Sequence, residues 1–277
     1  MPDKLPPGLH IVATPIGNLG DLSPRAAKTL SSADLILAED TRVTGKLLAH
    51  MGAKAPMIRY DDHTGEADRQ RIVDRLAGES IALVSDAGTP LISDPGYKLV
   101  RAAREAGHAV RTIPGPSAAI AALTLSALPT DRFLFAGFLP SKAKARGDAI
   151  AELAAVRATL VFYESGPRLG ETLAALADLL GDREAAVARE ITKLHEECVT
   201  GTLPELAARY DGAAPKGEIV VMVGPPKATE EASEEDLDAA LDEALTRLSP
   251  SRAAAEVAER LKLPRKRVYA KALERSK

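Results

Sequence analysis

The chain has 277 residues, 45% of them hydrophobic, and a formal net charge of -3, so it can bury a sizeable core in two domains and is not, as a whole, a non-specific nucleic-acid binder. A single cysteine, Cys198, excludes an intrachain disulfide, and no paired Cys/His spacing suggests zinc, so no metal is expected and a reducing cytoplasm fits. No apolar run approaches the roughly 18 residues of a spanning helix and the start lacks a signal-peptide pattern, so a soluble, unprocessed protein with no membrane partner is expected.

Short β-rich runs alternate with helical patterns from the start. Strands are expected at 10–13, 34–38, 80–86 and 109–113, with helices over 22–32, 41–51, 95–106 and 117–126, a βαβα rhythm. A second set follows, with strands at 133–138, 159–165, 184–190 and 218–224 and helices at 145–156, 168–180 and 203–210. Several strands are continuous apolar runs, as in sheets covered on both faces. GPPKATEEASEED reads as a linker, and three short helices follow at 235–248, 251–261 and 265–275. Residues 229–246 carry eight acidic and no basic side chains, whereas 251–277 carry nine Lys/Arg against three Glu. The expected organisation is an N-terminal α/β domain (1–116), a second α/β domain (117–226) and a helical basic tail (233–277).

Three turns at strand ends are the candidates for chemistry, a plain tight turn being the alternative for the first. ATPIGNLGDLSPRA follows the first strand with a Pro/Gly loop that lets backbone approach a ligand, yet it is neither a GxGxxG nor a phosphate loop. In VSDAGTPLISDPG an apolar strand runs into Ser, Asp, Gly and Thr; Asp86 either faces a zwitterionic ligand or, like Asp94, satisfies its own backbone in an Asx-turn. In IPGPSAAIAAL, Ser117 is a natural N-cap, and the alanines either allow close helix packing or line a site.

These blocks, together with AEDTRVTGKLL, FYESGPRL and REITKLHEE, resemble the tetrapyrrole methylase superfamily over about residues 9–224, and EDTR and SDAGTP select its RNA-modifying branch. One segment departs: a His-Asn-Glu step is expected near residue 63, where the chain reads His63-Thr64-Gly65-Glu66. The resemblance implies two α/β domains with a cofactor cleft between them, a homodimer, S-adenosyl-L-methionine as cofactor, and 2'-O-methylation of a decoding-centre cytidine in 16S rRNA of the small ribosomal subunit. It places cofactor contacts at Pro15, Asp86, Ala87, Gly88, Thr89, Ile92, Ser117 and Ala118, with Phe162, Tyr163 and the turn at 190–193 closing over the adenine. A precorrin-type C-methyltransferase and a non-catalytic RNA-binding protein are the alternatives.

Transfer from a sulfonium needs in-line placement and exclusion of water more than covalent help. The ribose hydroxyl must still lose a proton, and Glu39, Asp40, Glu164, Glu190 and Lys193 are the candidate bases. Glu39 and Asp40 equally suit an ordinary helix N-terminus, and Glu190 with Lys193 an ion pair. Arg42, Arg168 and Arg189 suit phosphate, as do Lys142, Lys144 and Arg146 in SKAKARG and Arg265, Lys266 and Arg267 in the tail; a solvated basic face is the bland alternative. The isolated histidines have no ligand spacing.

Overall fold

The computed structural model describes residues 5–227, 234–261 and 263–276. In its first half run β1 (Gly8–Val12), α1 (Pro24–Ser32), β2 (Leu35–Ala38), α2 (Thr41–His50), β3 (Met57–Arg59), α3 (Glu66–Arg75), β4 (Ser80–Val84), α4 (Tyr97–Glu105) and β5 (Val110–Ile113). The second half holds α5 (Ala118–Leu125), β6 (Phe133–Phe138), α6 (Ala143–Leu153), β7 (Thr159–Ser165), α7 (Leu169–Leu180), β8 (Glu184–Arg189), β9 (Glu197–Thr202), α8 (Leu203–Arg209) and β10 (Glu218–Val223). After these come α9 (Glu234–Leu245), α10 (Pro250–Leu261) and α11 (Arg265–Arg275).

The first sheet has the order β3-β2-β4-β1-β5, all parallel. Its inner strands β1, β2 and β4 are buried along their whole length, as expected where helices cover both faces. Local signals start the helices: Ser23 accepts from the Ala26 N–H with Pro24 in the first turn of α1, and Asp40 accepts from the Arg42 N–H at the start of α2. The second sheet has the order β6-β7-β10-β8-β9, parallel only between β6 and β7.

Residues up to Pro226 form one compact unit that contains both sheets. One cluster joins them: Ile16, from the loop after β1, packs with Ala119, Ala122 and Leu123 of α5 and with Val161, Val220 and Met222 of the second sheet. On the other face of that sheet Leu160, Phe162 and Val221 pack with Leu169, Leu173 and Leu176 of α7. Residues from Lys227 onward form a separate unit, in which Leu237, Leu241, Ala254, Val257, Val268 and Ala272 build a core of their own.

Strand alternation therefore sends Phe162 away from its neighbour Tyr163 and corrects its expected role: its side chain is fully buried in the α7-side core. The expected cost of Phe162→Ala is about 3–5 kcal/mol, read as a fall in Tm on the order of 10 °C. A melt within about 2 °C of the parent protein would contradict this placement.

Candidate active site

The three motif turns meet at the carboxyl ends of adjacent strands, where open α/β sheets bind ligands. Thr14 N–H donates to the Gly88 carbonyl at 2.8 Å and Gly88 N–H returns to the Thr14 carbonyl at 3.1 Å. Gly88 has φ +80°, and an added Cβ would lie 3.2 Å from Ile16 Cγ2, so a side chain there is both strained and crowded. Thr89 Oγ1 donates to the Pro116 carbonyl at 2.9 Å and ties the second turn to the third. The end of β2 joins them, since Asp40 N–H donates to Asp86 Oδ1 at 3.0 Å and Asp86 N–H to Glu39 Oε2 at 3.4 Å.

Over these turns lies a cavity of about 390 Å³, roofed by the second sheet. Its walls are apolar at Ile16, Ala118, Tyr163, Ile219 and Val220, and polar at Glu39, Asp86, Asp94, Ser117 and Glu218. Glu39, Asp86 and Asp94 make no ion pair among the described residues, whereas Glu218 pairs with Lys193. Burial raises the Glu39 and Asp86 carboxyls above their ordinary values, and raises Asp94 to about 6, with Glu39 and Asp86 adding repulsion to the last. Such a ring stabilises a positively charged guest. The flanking backbone is held out of the common regions, with Leu91 at φ 73° and Ser93 at φ 64°, a strain that concentrates at ligand sites.

Of the expected cofactor contacts, Asp86, Ala87, Gly88, Thr89, Ile92, Ser117, Ala118 and Tyr163 line this one cavity. Pro15 precedes the lining residue Ile16 and is not itself on the wall. Ser117 makes no side-chain capping bond to its helix and instead lines the cavity, as Tyr163 does from the second sheet.

Among the expected bases, Glu39 is on the wall, whereas Asp40 is spent on structure. Arg42 grips the Asp40 carboxylate at 2.5 and 3.0 Å and, by those hydrogen bonds, holds it far below the carboxylate range. Glu190 is likewise held down by Lys193, 2.9 Å away, and Lys193 also binds Glu218 at 3.0 Å. Glu164 reaches the wall but is buried and takes hydrogen bonds from Thr172 Oγ1 and the Ser165 N–H.

The basic candidates divide by burial. Arg146 is 6% exposed and bonded to Glu171 and the Ser141 carbonyl, so it supports α6 and offers nothing to a surface ligand. Arg168 donates to the Leu139 carbonyl at 2.6 Å and pairs with Glu164, and Arg189 spans Glu197 and the Lys216 carbonyl. Lys142 and Lys144 are exposed with no ion pair among the described residues, and Arg42, also exposed, sits at the mouth paired to Asp40. In the tail, Arg267 and Lys271 bind Glu234, and Arg275 binds Asp238 and Asp242, while Arg265 and Lys266 carry no ion pair among the described residues.

Reasoning from sequence missed Asp94, Ile16, Glu218 and Phe138 on the cavity wall. Asp94 had a signal, a second Asp before Pro-Gly in the same turn; Phe138 had only its place at a strand end. His63, Thr64 and Gly65 line a separate groove of about 430 Å³ beside α3, with Arg59 and Arg71. Among the described residues no cluster of His, Cys, Asp or Glu has metal-binding geometry, and no helix is long and apolar enough to cross a membrane.

The family model described as Tetrapyrrole (Corrin/Porphyrin) Methylases matches residues 8–207, and that described as RsmI C-terminal HTH domain matches 231–276. The ribosomal RNA small subunit methyltransferase I of Erythrobacter litoralis is 57% identical over 98% of this chain and 96% of its own length, and that of Mesorhizobium japonicum 48% identical over 98% and 92%. The uroporphyrin-III C-methyltransferase of Thermus thermophilus, solved in complex with S-adenosylhomocysteine, superposes with TM-score 0.54 over 78% of this chain and 96% of its own at 20% identity, a likeness of fold. The chain thus belongs to the tetrapyrrole methylase family and, within it, to the ribosomal RNA small subunit methyltransferase I group.

Proposed function

We propose that the protein is an S-adenosylmethionine-dependent methyltransferase that modifies the ribose 2'-oxygen of a decoding-centre cytidine in 16S rRNA, within the small ribosomal subunit and as a homodimer. One observation supports the cofactor above all: Asp86 and Ser117 share a cavity with Glu39 and Asp94, and those three carboxyls are raised by burial and make no ion pair among the described residues. S-adenosylmethionine, which carries a sulfonium and an ammonium against one carboxylate, is net positive and relieves that repulsion. The cavity falls within the ~300–1,000 Å³ of small-molecule pockets. The target nucleotide rests on the family resemblance and the rRNA on the names of the relatives.

When bound, the cofactor supplies an activated methyl group on a good leaving group. The chain's own work is to hold and to deprotonate. Backbone groups of the turns at 14–17 and 86–89 suit the polar end of the cofactor, while Ile16, Ala118 and Ile219 give apolar walls that exclude water. Asp94 is the base in this reading: it lines the cavity and at about 6 it is a stronger base than an ordinary Asp yet ionised at neutral pH. Glu39 and Asp86 hold the positive charge. A polycarboxylated macrocycle would meet like charge on this wall. Small-subunit rRNA from cells lacking the protein should lack one ribose methyl by mass spectrometry, and purified protein should restore it; an unchanged modification map rejects the reading.

The raised Asp94 pKa sets the sign of a pH effect. Its folded value near 6 lies above the ordinary 3.8, so the group favours the empty fold at low pH and loses that contribution as pH rises through about 6. Asp94→Asn should therefore melt higher than the parent at about pH 7.5, by less at about pH 5, and close to it only below the ordinary 3.8, while kcat falls roughly 10²- to 10⁴-fold. The parent's rate should climb with pH through about 6; a flat profile, or full activity in the variant, removes Asp94 as base.

The tail has its own expectation. Substituting Arg265 and Lys266 by Ala should weaken subunit binding and lower the slope of log affinity against log salt by about 1–2, since each phosphate contact adds about one. Arg267→Ala should instead loosen α11 from α9, because its charge is already matched by Glu234. Equal salt slopes in the double variant and the parent exclude this helix end from the contact.

A further inference from the structure

We propose that Phe138 is the platform on which the unstacked target base of the RNA lies, with Lys142 and Lys144 holding the neighbouring phosphates. This rests on the methyl-transfer reading above and assigns the acceptor's position at the same cavity. The first observation is a defect in β6. Its parallel register with β7 shifts between Phe135 and Gly137. In a regular strand residues three apart face opposite sides. Here Phe135 and Phe138 both pack edge-on against Tyr163, with centroids 4.8 and 5.6 Å away. The bulge has inserted one residue and turned Phe138 onto the cavity side, a known use of bulges beside active sites. Gly137 makes the turn possible at φ +65°, and a Cβ there would sit 3.0 Å from Ser93 Oγ, so the bulge is pressed against the cavity's own strained turn.

Exposure is the second observation. Phe138 is 57% exposed in a chain with four Phe, five Tyr and no Trp, although it lines the cavity. Tyr163 is the ring inside; Phe138 is the ring at the rim, where a base can reach it from solvent. Charge supplies the third. The interior carboxylates repel phosphates, so an RNA backbone must be held outside them. Lys142 and Lys144, exposed and without ion pairs among the described residues, come four and six residues after Phe138, and Arg168 anchors the intervening Leu139 carbonyl. An aromatic face beside free cations is how single-stranded RNA is gripped.

The test uses the full chain, S-adenosylmethionine, and small ribosomal subunits from cells lacking the protein. Phe138→Ala should lower kcat/KM for subunits roughly 10- to 100-fold, the usual worth of one stacked base, through KM more than kcat. Its affinity for S-adenosylmethionine by calorimetry should stay within about twofold of the parent, and Phe138→Tyr should restore most of the loss. Because the chain has no tryptophan, Phe138→Trp introduces a lone indole whose emission should be quenched by subunits and not by S-adenosylmethionine alone. Quenching by the cofactor alone would make this ring an adenine wall and overturn the inference, as would a Phe138→Ala enzyme with parental KM. If the parent transfers no methyl to subunits while they quench the indole, the stacking stands and the activity falls; no quenching by subunits overturns the stacking itself.

Discussion

The site depends on a pair of backbone hydrogen bonds, Thr14 to Gly88 and back, which fasten the turn after β1 to the turn after β4. Buried main-chain groups must be paired, and here they pair with each other across two strands' ends, so neither turn needs a side chain to hold its shape. Thr89 extends the same stitching to Pro116 and hence to the start of α5, which carries the wall across to the second sheet. The carboxyls of Asp86 and Asp94 line the cavity above this frame, and Asp86 also accepts the Asp40 N–H that ties in the end of β2.

Charge is arranged in layers. Inside the cavity, burial and mutual repulsion raise three carboxyls, a state that destabilises the empty protein and suits a cationic guest. Elsewhere, cations that looked equivalent in the sequence have been sorted: Arg146, Arg168 and Arg189 are bound to carbonyls and carboxylates, whereas Lys142 and Lys144 carry no ion pair among the described residues. The tail repeats the sorting. Its acidic first helix and basic last helix lie together, and Glu234 is held down to about 2 by Lys271 and Arg267. The polarity read along that stretch of sequence is largely an internal match, and Arg265 and Lys266 at the start of α11 are among the described cations outside it.

What could be read from the sequence follows from what each element buries. β1, β4, β7 and β10 are continuous apolar runs and stood out; β9, Glu197–Thr202, is an edge strand with no fully buried position, and β3 is three residues long, so neither left a pattern. α3 escaped because only Ile72 and Val73 of its ten residues are buried. The cavity turns were legible because Gly, Pro and Asp after an apolar strand have few other uses. Phe162 and Tyr163 were not separable, since which of two neighbours faces the cavity depends on which face of the sheet α5 covers. Phe138 was further out of reach: its direction is set by a one-residue bulge, and no periodicity announces that.

The shared fold and the divided chemistry have one physical source. A frame fastened by main-chain bonds makes few demands on side chains, and the fold is shared at 15–23% identity with proteins named for porphyrin methylation and diphthine synthesis. Such a frame says nothing about the acceptor. On the proposed reading discrimination falls to side chains at the rim, among them Ser93 in left-handed backbone and Phe138, beyond a bulge and 57% exposed. Strain and exposure of that kind oppose folding and gain nothing within the chain itself. Ser93 and Phe138 both lie on the wall of one cavity, on the side that the proposal gives to the acceptor.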